Sequence, residues 1–139
     1  MIHGTHNSEA DSRNQQIKIF INGDLFSRND AKISVFDSGY LVGDGVWEGM
    51  RLHEGIIVFL NLHLNRLWQS AKVIGIELKF TKAELVEKIW KTLDANKMHN
   101  DVHLRVMVTR GIKKTPTQDP RFTISGPNLV IIAEHKKAS

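Results

Sequence analysis

Cysteine is absent from the 139 residues, which removes disulfides and thiolate metal sites and favours a reducing compartment, the cytoplasm. No apolar run approaches the roughly 18 residues of a membrane-spanning helix, so no membrane partner is expected. Proline occurs three times, all of it between 116 and 127, leaving the rest of the chain free for regular structure. Residues 1–16 are polar and lack the apolar stretch of a signal peptide, and they read as a flexible lead-in. None of the seven histidines stands in the H-E-x-x-H arrangement of a helical zinc site, and no serine sits in a G-x-S-x-G elbow. The net charge of +4 is thinly spread. Lys113-Lys114 and His135-Lys136-Lys137 are the basic clusters, and no aromatic strand or zinc knuckle accompanies them, so nucleic acid is not an expected partner.

What is present is the patterning of one domain, long enough to bury about two thirds of its unfolded surface. Ile17, Ile19 and Ile21 alternate like a strand, and Asn22-Gly23-Asp24 supplies a tight turn, so the chain is expected to open on a β-hairpin. Further strands are expected at 31–35 and 46–53, the second turning at Glu54-Gly55 into the apolar run 56–59. From Leu60 the period changes. Leu60, Leu64, Leu67, Ala71 and Ile74 fall on one helical face, with Asn61 as the expected cap and Gly75 as the stop. Thr81 and Glu84 have the spacing of a capping box before Leu85, Ile89 and Leu93, which mark a second helix to about Asn96.

Val102, Leu104, Val106 and Val108 alternate with His103, Arg105, Met107 and Thr109, which gives a strand at 102–109 with one apolar face. A wholly apolar strand follows at 129–133. Between them, the prolines exclude regular structure from 111–128, and a loop of that length is usually functional or mobile. Strands, two helices and strands again, without βαβ alternation, imply an α+β domain: a largely antiparallel sheet with two helices packed on one face.

Chemistry concentrates at 34–51, where glycines, acids and aromatics alternate in place of core aliphatics. Gly43-Asp44-Gly45 with Gly49 is not a dinucleotide loop, because the next segment reads as a strand and a phosphate-binding turn must open a helix. These glycines permit positive φ and close backbone approach in a bend. Asp37, Asp44 and Glu48 read as turn and surface carboxylates, and His53, His63, His99 and His103 as surface or core residues. Arg66 precedes Leu67 on the apolar face of the first helix, so its guanidinium emerges at the edge of that face. A planar fork there suits a phosphate; a surface ion pair is the competing role.

Asn22-Gly23, the run Gly43-Asp44-Gly45-Val46-Trp47-Glu48-Gly49, His63-Leu64-Asn65-Arg66-Leu67 and Val108-Thr109-Arg110-Gly111 follow one another in an order that resembles the amino-terminal domain of class IV aminotransferases. The resemblance covers about 17–134. It implies a small α+β domain of a homodimer, with pyridoxal 5′-phosphate held between this domain and a larger one. Amino groups would pass between an amino acid or amine and a 2-oxo acid, of branched-chain type as the first expectation. By the resemblance, Arg66 matches the arginine that holds the cofactor phosphate. Trp47 falls where relatives place a substrate-facing ring, and Tyr40 and Val42 fall in the segment lining the substrate pocket, in part across the dimer interface. Glu48 and Arg51 match the E-G-x-R pattern of branched-chain enzymes.

Three departures qualify the match. Ser38 replaces an arginine usual in the family, His103-Leu104-Arg105 stands in place of the Y-x-R motif that helps to receive the substrate carboxylate, and the loop lacks the R-x-H of D-amino-acid enzymes. Arg121 in that loop is the candidate carboxylate clamp. The lysine that would bind the cofactor as a Schiff base belongs to the larger domain. Residues 135–139 are therefore expected to begin an interdomain linker, with the large domain absent and the chain inactive alone. The competing expectation is a non-catalytic ligand-binding or dimerisation module derived from the same fold.

Overall fold

Asn22 (φ 50°) and Gly23 (φ 107°) make the two-residue turn that folds strand β1 (Lys18–Ile21) onto β2 (Asp24–Ser27). Both central residues carry positive φ, the conformation that matches the twist of a tight hairpin. Glu54 and Gly55 repeat the device between β3 (Gly45–His53) and the two-residue β4 (Ile56–Ile57). The structure, a computed structural model, describes residues 11–138. Strands β5 (Val102–Thr109) and β6 (Asn128–His135) complete a six-stranded sheet in the order β2-β1-β6-β5-β3-β4, with every pairing antiparallel.

Helices α2 (Leu60–Val73) and α3 (Lys82–Ala95) cover one face of this sheet, after a short α1 (Ser38–Val42). Leu64, Leu67 and Ala71 of α2 and Leu85, Ile89 and Leu93 of α3 meet Met50, Leu52, Leu104, Val106, Ile131 and Phe20 in one core. Each of these side chains larger than alanine contributes about 1.5–3 kcal/mol through removal of apolar surface from water. The α+β expectation is therefore borne out. The capping box forms as the spacing predicts, with Thr81 Oγ1 accepting from Glu84 N–H and the Glu84 carboxylate accepting from Thr81 N–H. Gly75 (φ 74°) ends α2 in a Schellman motif: its N–H donates to Lys72 O and Ile76 N–H to Ala71 O.

Three expectations are corrected. No strand forms at 31–35, because a two-residue turn brings the partner strand in directly at Asp24, and the chain at 31–33 instead lies over the outer sheet face beside Ile19. Asn61 does not cap α2; Phe59, with φ 54° and no side-chain cap bond, holds that position. The lead-in also departs from expectation where it can be described. Residues 1–10 lie outside the described part, whereas Ser12–Gln16 form a 3-10 turn whose buried Asn14 exchanges two hydrogen bonds with the backbone of His135.

The loop at 111–128 also has structure of its own. Lys113 bridges Thr123, Ile124 N–H returns to Ile112 O, and a 3-10 turn at Pro120–Phe122 is capped by Asp119. The Lys113 stem is buried inside this loop, with Nζ donating to Asp119 O.

Candidate functional site

Strand alternation gives β3 two chemically distinct sides: Glu48, Met50 and Leu52 point into the helix-covered core, and Trp47, Gly49 and Arg51 onto the open face. Val58 N–H donates to Arg51 O, so residues of that parity turn their backbone groups to the outer edge of β3. Strand β4 reaches only Leu52 and His53, which leaves the edge at Trp47 and Gly49 uncovered by a strand. Two groups of side chains flank this edge, one on each face.

On the helix side, the Glu48 carboxylate is 3% exposed, which overturns its assignment as a surface acid. Its Oε2 accepts from Arg66 Nε at 2.8 Å, and its Oε1 accepts from Arg66 Nη2 and His63 Nδ1, each at 2.7 Å. Burial raises the Glu48 carboxyl, but the hydrogen bonds and charges of Arg66 and His63 outweigh it and hold the group below the ordinary carboxylate range. Glu48 in turn holds the Arg66 guanidinium above its usual value. The Arg66 side chain is 67% exposed, and the bidentate pair takes only the Nε–Nη2 edge of its fork. Nη1 makes no hydrogen bond among the described residues. Buried on one side and open on the other, this donor set fits an oxyanion such as a phosphate monoester.

On the open face, the Arg105 guanidinium stacks on the Trp47 ring, 4.1 Å from its centroid, while Trp47 remains 57% exposed. His103 stands opposite Arg51 on β3 and two residues before Arg105 on β5. A Cβ on Gly49 would come within 3.3 Å of His103 Nε2 and 3.5 Å of Trp47 Cζ3, so a larger residue there would need the His103 ring to shift by a few tenths of an ångström. Partial burial lowers the His103 pKa, and the charges of Lys136, Arg105 and Arg51 add to the effect. The unfolded imidazole, at 6.5, therefore takes a proton before the folded one does. This contribution to stability is present above pH 6.5 and is lost as pH falls through the lower folded value. Melting temperature should decline on acidification through this window, and His103→Gln should flatten the decline; an identical slope in the variant would remove His103 as its source.

Arg51 donates through Nη1 to Lys136 O and ties down the end of β6. Tyr40, 74% exposed, and Val42, 38% exposed, lie on α1, which ends two residues before β3 begins. Arg121 is 85% exposed and forks onto Asp119 two residues back.

Sequence reasoning missed His63 as the second donor to Glu48 and missed the burial of Asp37. The Asp37 carboxylate is fully buried and accepts from Thr109 Oγ1, Asn128 Nδ2 and Gly39 N–H. Local signals existed for α1 alone: an aspartate cap before Ser38 and a glycine, Gly43 at φ 69°, after Val42. Among the described residues no cluster of histidine and acid side chains has the makings of a metal site.

This architecture is that of solved aminotransferase chains. The T.th. branched-chain amino acid aminotransferase, complexed with N-(5′-phosphopyridoxyl)-L-glutamate, superposes with a TM-score of 0.75 at 26% identity, over 88% of this chain and 41% of that one. The branched-chain aminotransferase of Thermoproteus uzoniensis with norvaline gives 0.70 at 27% identity, over 85% and 40%. A putative branched-chain-amino-acid aminotransferase of Methanocaldococcus jannaschii is 43% identical over 96 residues, 69% of this chain and 33% of that protein. A D-alanine aminotransferase of Bacillus licheniformis is 40% identical over 95 residues, 68% of this chain and 33% of that protein. The family model for amino-transferase class IV matches residues 45–137, and the chain belongs to that family. It spans about one third of the length of these two curated relatives.

Proposed function

We propose that this chain is the small domain of a pyridoxal-phosphate-dependent class IV aminotransferase, and that Arg66 holds the cofactor phosphate. The observation that carries this is the Arg66 fork, fixed along one edge by buried Glu48 and left open at the other. A guanidinium oriented in this way meets an oxyanion without further loss of side-chain freedom.

Bound at Arg66, the cofactor would supply an electron sink for the substrate Cα. The residues in this chain bind and orient. Trp47 walls the substrate side and excludes water, while Arg105, stacked on it, receives the substrate carboxylate with His103 as a neighbouring donor. Branched-chain amino acids are the first substrate class to test, with a 2-oxo acid as acceptor. Arg51 acts through the end of β6, and Tyr40, Val42 and Arg121 line the pocket from the exposed surface, the first two across a homodimer interface. The setting is the cytoplasm.

Arg66→Ala in the cofactor-bearing protein should weaken pyridoxal phosphate binding about ten- to a hundredfold, the factor of one charged hydrogen bond. Equilibrium dialysis measures it, and unchanged affinity would remove Arg66 from the phosphate site.

A further inference from the structure

Arg105 differs from every other arginine of the chain. Arg13, Arg28, Arg51, Arg66, Arg110 and Arg121 each donate to at least one acceptor, whereas Arg105 donates to none among the described residues. It is half-buried on the outward side of β5, and among the described residues no carboxylate pairs with it. Glu134, the acid of β6 on that side, stands opposite His103. What holds the Arg105 guanidinium is the Trp47 ring, 4.1 Å away.

The register explains how the two meet. Arg105 pairs with Gly49 and Trp47 with Met107, so the arginine and the ring are diagonal neighbours on one face, within reach for side chains of their length. Gly49 places no side chain between them. A guanidinium stacks through its face and hydrogen-bonds in its plane. The ring therefore takes a direction that no N–H uses, and the five donors of the fork stay available to a ligand. A bare arginine side chain would keep its rotamer freedom until a ligand removed it, at a cost in affinity. Trp47 is 57% exposed and outside the core, so packing of the core does not account for its place.

We infer that Trp47 is a positioning residue for Arg105: the stack fixes the plane of the guanidinium, and a planar carboxylate meets a fork that is already oriented. This rests on the assignment of Arg105 to the substrate carboxylate. A ring that only walled the pocket would act on any ligand of the same shape. A ring that acts through Arg105 affects ligands according to their charge.

The test is calorimetric titration of the cofactor-bearing protein with 3-methylbutanoate and with 3-methylbutanamide, which share a shape and differ in charge. Trp47→Leu should weaken binding of the acid about two- to tenfold, the factor for immobilising one long side chain on binding, and leave the amide unchanged. Trp47→Phe, which keeps a ring, should restore most of the loss. In an Arg105→Gln background, Trp47→Leu should have no further effect on the acid. In the unmodified protein the Arg105 Nε–H proton should resonate upfield through the ring current of Trp47, and this displacement should vanish in Trp47→Leu. Equal weakening of acid and amide, an undiminished effect of Trp47→Leu in the Arg105→Gln background, or an undisplaced Arg105 resonance would overturn the positioning role and leave Arg105 as the carboxylate receptor. An Arg105→Gln protein that binds the acid as tightly as the unmodified one, or an unmodified protein that does not prefer the acid, would remove both.

Discussion

Asp37→Ala is expected to lower the unfolding free energy by about 3–5 kcal/mol, because three donors lose their acceptor inside the protein and each orphaned group costs about 1–3 kcal/mol. The carboxylate is fully buried, and its partners come from three parts of the chain: Gly39 at the start of α1, Thr109 at the end of β5 and Asn128 at the start of β6. No cation pairs with it among the described residues. Oδ1 accepts from Thr109 and Asn128 and Oδ2 from Gly39, so Asp37→Asn would set an amide donor against a donor on one side, and its loss should be smaller but clear. Denaturant unfolding at constant m-value measures both. A loss for alanine below about 1 kcal/mol would mean that Asp37 is not the tie the geometry describes.

Arg110→Met is expected to cost about 2–4 kcal/mol, the scale of breaking a partly buried ion pair together with charged hydrogen bonds. Arg110 engages Asp44 through Nε and Nη2, and donates from Nη1 to Gly75 O and from Nη2 to Ile74 O. Both ions are 17% exposed, so solvent screening is limited. Its charge also sits at the carboxyl end of α2, where orphan carbonyls favour a cation. Methionine keeps the apolar stem, which isolates the loss of the fork. The double variant with Asp44→Asn should lose less than the sum of the two single changes, and strict additivity would show that the two residues do not act as a pair. Arg110 thus uses four N–H donors structurally where Arg66 uses two, which separates a structural arginine from one with binding capacity to spare.

The elements legible in the sequence are those whose determinants are local. Asn22-Gly23 demands positive φ in two successive residues, Thr81 and Glu84 close a ring within one helical turn, and the alternation of β5 is complete within eight residues. Where the deciding partner is distant, the sequence is silent. Asp37 is buried by residues 72 and 91 positions away, and Asn14 by one 121 positions away, so neither differs locally from a turn or lead-in residue. Glu48 reads as a surface acid for the same reason, since His63 and Arg66 reach it from α2, 15 and 18 positions away. Asn61 fails as a cap because the chain enters α2 through the positive φ of Phe59, which the short β3–β4 hairpin imposes and no capping preference reveals.

On β5, odd-numbered residues face outward and even-numbered residues build the core, in register with β3 and β6 on either side. The two sets can be rewritten separately. A new residue at 103, 105 or 107 changes the outer face of the sheet without altering the volume that the helices must cover, whereas a slip of one residue would bury Arg105 and expose Val106. The register that stabilises the core is therefore also what leaves the outer face free to diverge. Under the proposed function, variants drawn from the outward positions alone would alter substrate preference on an unaltered scaffold.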